Sequence, residues 1–204
     1  MPARVVRIDE IEAIATAGVH WHPLRRTLGI TAFRTNGYTA DAGELLIEPH
    51  TEADGSEEEM YVLITGRATF TVDGEEIDAT PGTVVYCPDP ASHRTAVATE
   101  AGTLALAVGN RAGAAGPPSA WEHRFAAAPA KQGGDYDRAY EIAAVALADH
   151  SEDANLHYDL ACFAALGGHR ERALEHWRTS VSLNPRARKW AEDDADLDPI
   201  RDDL

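Results

Sequence analysis

The chain is short of positive charge. Its 204 residues hold 18 lysines and arginines against 34 aspartates and glutamates, a formal charge of −16. Nucleic acid and anionic membrane surfaces are bound through a basic face, so neither is expected as a partner. Long apolar runs are missing as well. No stretch approaches the roughly 20 apolar residues of a membrane-spanning helix, and the opening MPARVVRIDEIEAIA has no apolar core that would serve as a signal peptide. Only two cysteines occur, Cys87 and Cys162, too few for a disulfide framework. They are expected to be reduced thiols in a cytoplasmic protein. No nucleophile–base pair, phosphate-cradling glycine loop or dinucleotide fingerprint is found.

What is present suffices for a packed interior, since 44% of the residues are hydrophobic. The length allows one large domain or two small ones. Val5, Val6 and Ile8 could form an edge strand, Trp21 to Arg26 reads as an extended segment, and a strand after Gly29 is expected to end in an Asn36-Gly37 turn. His20 and His22 would share one strand face as surface or packing histidines. Arg25 and Arg26 would be solvated, or would steer an anionic substrate. From Met60 to Val108 short strands alternate with turn signals. Ala68, Phe70 and Val72 fall on one face, Asp73-Gly74 makes a hairpin, and Thr80-Pro81-Gly82 turns the chain into Thr83 to Tyr86. Many short strands punctuated by glycine and proline argue a sandwich or barrel.

Chemistry concentrates between Gly43 and Gly66, in GELLIEPHTEADGSEEEMYVLITG. A strand-like run ends at His50-Thr51-Glu52, and a second apolar run opens after Glu59. Residues two apart share a strand face, so His50 and Glu52 can point the same way, and both, like Glu59, can ligate a divalent first-row metal. A second stretch, Gly82 to His93, reads GTVVYCPDPASH. Together these resemble the two motifs of the cupin superfamily, G-x5-H-x-H-x(3,4)-E-x6-G and G-x5-P-x-G-x2-H-x3-N, separated by the short gap of compact bacterial members. Glu59 and Gly66 match the first motif's close; Gly82, Pro88 and His93 match the second. Glu52 replaces the first motif's second histidine, Pro90 the second motif's glycine, and Val97 its asparagine. Gly43 to His50 holds one residue too many, so His50 faces the apolar side only if a bulge intervenes, for which Pro49 is a suitable place.

The resemblance implies a metal site of His50, Glu59 and His93, with Glu52 or Asp54 as a fourth ligand and Glu48 a weaker extra candidate. Fe, Mn, Ni and Zn all suit such a set. The alternative is a metal-free pocket in which these groups hydrogen-bond at the barrel mouth. Tyr38, Tyr61, Phe70 and Tyr86 would line it; Glu57 and Glu58 would be solvated loop charges.

Arg111 to Ser119, RAGAAGPPS, is a compositional break, and after it the period changes. Gly133-Gly134 recurs as Gly167-Gly168 and Arg138-Ala139-x-Glu141 as Arg172-Ala173-x-Glu175, always 34 positions on. Ala127 and Ala130 recur as Ala161 and Ala164. This resembles the tetratricopeptide repeat. The better copy spans residues 154–187, with Leu160, Ala161, Gly168, Ala173, Trp177, Ser180 and Pro185 at the repeat's characteristic positions. Pro129 is expected to interrupt the first helix of the poorer copy. Two repeats are fewer than an independent solenoid usually has, so support is expected from the barrel, a second protomer, or a C-terminal cap carrying Trp190, Leu197 and Ile200.

The expected organisation is a mostly β cupin-type barrel or jelly roll over residues 1–112, a linker at 113–118, and an all-α domain over 119–204 with an acidic C-terminal cap. The expected function is metal-assisted binding or turnover of a small molecule in the barrel, an oxygenase or isomerase if an enzyme. The helical part would serve association with a protein partner or a second copy. The alternative is a metal-free small-ligand sensor or carrier, or an interaction scaffold without catalysis.

Overall fold

The structure, a computed structural model, describes residues 3–204 and divides into two compact units that meet at Ala115 and Gly116. The first unit is built on ten strands: β1 (Ile14–Thr16), β2 (Val19–His22), β3 (Arg34–Ala40), β4 (Leu45–His50), β5 (Glu57–Thr65), β6 (Ala68–Val72), β7 (Glu75–Ala79), β8 (Val84–Cys87), β9 (Arg94–Ala98) and β10 (Thr103–Arg111). They form a six-stranded sheet in the order β1-β2-β3-β10-β5-β8 and a four-stranded sheet in the order β4-β9-β6-β7. All pairings are antiparallel. The period-2 pattern places the interior. In β10, Thr103, Ala105, Ala107 and Gly109 are buried while their neighbours are less so, and one apolar cluster joins Leu46 and Ile47 with Tyr61, Leu63, Phe70 and Val85. Each large side chain so buried contributes about 1.5–3 kcal/mol.

Two glycines are fixed by close approach. Gly66, with φ +74°, lets the β5–β6 turn lie on Thr103, where a Cβ would meet Oγ1 at 2.3 Å. Gly37 is not a turn residue, as expected, but sits inside β3, where a Cβ would meet the Ile8 side chain at 2.2 Å. The hairpin at Asp73-Gly74 is present, both residues having positive φ, with Val72 opposite Glu75.

The N-terminal lead-in differs from its expectation. Ile8–Glu10 is a single 3-10 turn, and Val5 and Val6 are exposed rather than paired in a strand. Leu24–Leu28 forms a short helix, α1, ended by Gly29 in the left-handed region, so Arg25 and Arg26 are helical, not extended. His20 is exposed; His22 is buried, bonded to the Ile11 carbonyl (2.7 Å) and Thr39 Oγ1 (2.9 Å), a satisfied packing histidine.

The second unit contains α2 (Ala120–Gln132), α3 (Tyr136–Ala144), α4 (Ala154–Leu166), α5 (Arg170–Leu183) and α6 (Ala187–Ala191), with 3-10 segments at Val145–Ala148 and Ala195–Asp203. The repeat is visible in the backbone. Ala120–Gln132 returns as Ala154–Leu166 and Tyr136 as Arg170, and both hairpins turn on a glycine pair whose second member has φ +79°. A Ser119–Glu122 capping box starts α2, and Asp153 caps α4. Pro129 does not break α2, which runs through it; Pro129 and Phe125, the residue whose carbonyl loses its donor, both lie on the exposed side. Small residues let the helices close together: Ala161, Ala164 and Ala173 are buried around Trp177 and Tyr158. Leu197 and Ile200 of the C-terminal segment are buried in this same cluster, while Trp190 stays partly exposed, edge-on to Tyr158. Among the described residues, no helix is long and apolar enough to cross a membrane.

Candidate metal centre

The extra residue before His50 is absorbed by bulging. Leu45 pairs with Val97, Ile47 with Ala96 and His50 with Arg94, so three steps along β4 match two along β9 between Ile47 and His50. One irregularity falls between Leu45 and Ile47, and the one that sets His50 falls at Glu48-Pro49, where proline has no ladder donor to lose. Across the barrel mouth, β5 alternates. Glu57, Glu59, Tyr61 and Leu63 face one side, and Glu58, Met60 and Val62 the other. The loop between β4 and β5 folds on Glu52. Its N–H donates to the Pro90 carbonyl (2.9 Å), and its carbonyl accepts from Gly55 (3.1 Å) and Glu57 (3.4 Å).

These devices bring His50, Glu52 and Glu59 together, one ligand atom from each lying within 4.8 Å of the others. His50 Nε2 is 3.5 Å from Glu59 Oε2 and 3.8 Å from Glu52 Oε1. On its other side, Nδ1–H donates to the Glu48 carbonyl at 2.7 Å, which aims Nε2 at the two carboxylates. Tyr61 O–H donates to Glu59 Oε2 and lies 3.3 Å from His50 Nε2. All three ligand candidates are partly exposed, so the cluster opens to solvent.

The electrostatics are those of crowded carboxylates. Burial, then the charges of Glu59 and Glu57, raise the Glu52 carboxyl above its ordinary range. Contact with Glu59 raises the His50 imidazole, with burial working against it. Burial first, and then Glu59, keep the Tyr61 phenol protonated far above neutral pH, so it is a donor here. The Tyr38 phenol, packed against the barrel core, is held up by burial first and then by Glu48, Glu59 and Glu52. A divalent cation fits this set. The donor separations are too long for good hydrogen bonds, while ligands held at about 2.0–2.2 Å from one ion are spaced only slightly more closely. Such an ion would also offset the burial and the neighbouring carboxylates that raise Glu52.

Several expectations are corrected. His93 is not brought to the cluster. It is exposed in the β8–β9 loop, its N–H donating to Asp73 Oδ1 at 2.8 Å, because the inward position at the start of β9 is taken by Arg94. Asp54 is also exposed, leaving Glu52 as the loop's contribution. Tyr86 lies on the outer face of β8, exposed and hydrogen-bonded to Glu58 Oε2 (2.5 Å), so it does not line the interior. Phe70 is plain core behind the site, its ring 5.5 Å from that of Tyr61. Glu57 is no solvated loop charge: it begins β5, is buried, and pairs with Arg34 at 2.6 Å. Arg94 is not among the residues that the motif spacing singles out. The alternation Arg94-Thr-Ala96-Val-Ala98, with arginine in phase with two small residues, was the signal that could have found it.

Residues 38–109 match the family model for the cupin domain. A curated relative, an uncharacterized protein of Streptomyces coelicolor, is 30% identical over 94 residues, which are 45% of this chain and 81% of the relative. Among solved structures, a Cupin 2 conserved barrel domain protein from Salinispora arenicola is similar with a TM-score of 0.47 and 21% identity, over 56% of this chain and 93% of that one. KdgF from Halomonas sp. is similar with a TM-score of 0.45 and 14% identity, over 54% and 94%.

Proposed function

Because this chain belongs to one family with the Streptomyces coelicolor protein and carries a cupin domain at residues 38–109, we propose that its barrel is a metal-assisted small-molecule site. His50, Glu52 and Glu59 would hold a divalent first-row ion, Fe, Mn, Ni or Zn. The observation that carries this reading is the orientation of His50: Nδ1 is committed to the Glu48 carbonyl, and Nε2 faces two carboxylates at 3.5 and 3.8 Å. Bound there, the ion would supply Lewis-acid polarisation of a ligand oxygen, or an oxygen-activating centre. The chain's own residues do the rest. Tyr61 donates to Glu59 and so orients it, and Tyr38 stands ready, protonated, as a second donor at the mouth.

The helical unit resembles tetratricopeptide hairpins in its recurrence and its small buried residues, and we read it as an association module for a protein partner or a second copy. Trp121 and Phe125 support this, an exposed edge-to-face pair on α2 with ring centroids 5.4 Å apart. The barrel reading is tested by elemental analysis of untagged protein exposed to Fe, Mn, Ni and Zn and then desalted. Near-stoichiometric retention of one metal is expected. No retention of any of them moves the site to a metal-free ligand carrier.

A further inference from the structure

Among the described residues, Arg94 is the largest fully buried side chain, with no exposed surface. It opens β9 with its side chain on the face of Ala96 and Ala98, which are buried in the barrel core. Its strand neighbours are His50 on β4 and Val72 on β6. A guanidinium carries five N–H donors and stays charged throughout the accessible pH range. Here Nη2 reaches the Asp89 carbonyl at a long 3.5 Å and the Cys87 thiol lies against the guanidinium, while Nε and Nη1 have no oxygen or nitrogen partner. No carboxylate pairs with it among the described residues. Glu59 and Tyr61 are nonetheless close enough to act on its charge, so it belongs to the neighbourhood of the candidate centre.

A buried, unpaired cation is one of the most unfavourable groups a core can hold, and an apolar residue of similar volume would serve packing better. An arginine with a free edge fits a site whose counter-ion arrives with the ligand. Glu48 Oε2 is likewise buried without a donor, and its carboxylate is close enough to act on His50 and Tyr38. Charge decides the ligand class. Glu52 and Glu59 alone would repel an anion, but a divalent ion on them balances their charge and leaves Arg94 as the uncompensated cation. A planar carboxylate matches the guanidinium fork in two parallel hydrogen bonds. A phosphate dianion would bring more repulsion from Glu48.

We propose that Arg94 is the anion-binding group of the barrel, and that the ligand is a small carboxylate engaging its guanidinium, with a hydroxyl on that ligand donating to Glu48. This rests on the reading of the barrel as a small-molecule site.

The test is a set of thermal-shift titrations at constant ionic strength with malonate, hydroxymalonate and inorganic phosphate, on Mn-loaded and on chelator-treated full-length protein. In the wild type, hydroxymalonate should bind most tightly and phosphate least. Arg94→Met should weaken carboxylate binding at least tenfold. Without ligand, it should melt no lower than the wild type, because a buried unpaired charge has been removed. Arg94→Lys keeps the charge but loses the fork and should fall between the two, so it provides the comparison if Arg94→Met does not fold. If titrations in Mn-loaded and chelator-treated protein coincide and still depend on Arg94, the metal reading fails and this one survives. Equal malonate affinity in wild type and Arg94→Met, or no shift with any of the three anions in either state, overturns it.

Discussion

At the scale of single residues, the account turns on which side chains face inward. Tyr61 is a hydrogen-bond donor to Glu59, and its ring is buried against Phe70. Tyr61→Phe keeps the ring and removes the donor. It should weaken metal affinity by roughly 10–100-fold, as losses of ligand-orienting partners do, without lowering the melting temperature much. A competition titration against a chromophoric chelator reads this directly, and unchanged affinity would show that Glu59 needs no orientation. The residues show where the sequence was legible. His50, Glu52 and Glu59 could be named because their types and spacing suit a metal, and the surplus residue before His50 announced the bulge. His93 could not be rejected in the same way. Phase at the start of β9 is set by its pairing with β4 and β6 rather than by the length of the loop before it, and a one-residue difference in phase exchanges His93 for Arg94. Glu57 and Glu58 read as solvated loop charges, yet a strand starting at Glu57 buries that residue and turns Glu59, two positions on, toward His50.

At the scale of elements, the helical unit holds a closed relay between α3, α4 and α5. Tyr140 O–H donates to His176 Nε2 (2.8 Å), His176 Nδ1–H to His157 Nδ1 (2.9 Å), and His157 Nε2–H to the Ser151 carbonyl (2.9 Å). The carbonyl can only accept, which sets the direction of the chain for two neutral rings. Burial, then the neighbouring His157, push the His176 pKa from 6.5 down to about 4. In this window the unfolded chain binds a proton that the folded one does not, so His176 stabilises the fold above pH 6.5 and loses that contribution as pH falls toward 4, up to about 3 kcal/mol. Asp159 acts in the opposite sense: burial lifts its pKa from 3.8 to about 6, so the folded state gains as pH falls through that range. The two offset each other in the wild type. Asp159→Asn should therefore make the helical unit markedly less stable to urea at pH 4.5 than at pH 7, and a flat profile in that variant would contradict the His176 assignment. Trp177 is the unit's largest plug, 4% exposed beside Tyr158 and Leu197. Trp177→Ala should cost about 3–5 kcal/mol, a large part of the 5–15 kcal/mol typical of a domain, and appear as lost helical circular dichroism. Full helicity and stability in that variant would mean Trp177 is not needed as a plug.

At the scale of the whole molecule, the two units have separate cores and divide at Ala115 and Gly116. The change of period in the sequence gave the division away, because sheet faces repeat every two residues and helix hairpins here every 34. Less legible was how two repeats could stand without a third, since Ala195–Asp203 reads as a sparse acidic segment. Leu197 and Ile200 of that segment are buried in one cluster with Tyr158 and Trp177. Residues 116–204 produced alone should therefore unfold cooperatively, as should residues 1–115. A broad, uncooperative melt of the helical fragment would show that the cap is not enough support.

We propose that the barrel holds a metal through His50, Glu52 and Glu59 and without His93. The most direct measurement is metal content in untagged wild type, His50→Ala and His93→Ala, loaded and desalted side by side. His50→Ala should lose the metal while His93→Ala retains it at the wild-type level. Loss from His93→Ala, or retention by His50→Ala, would contradict it.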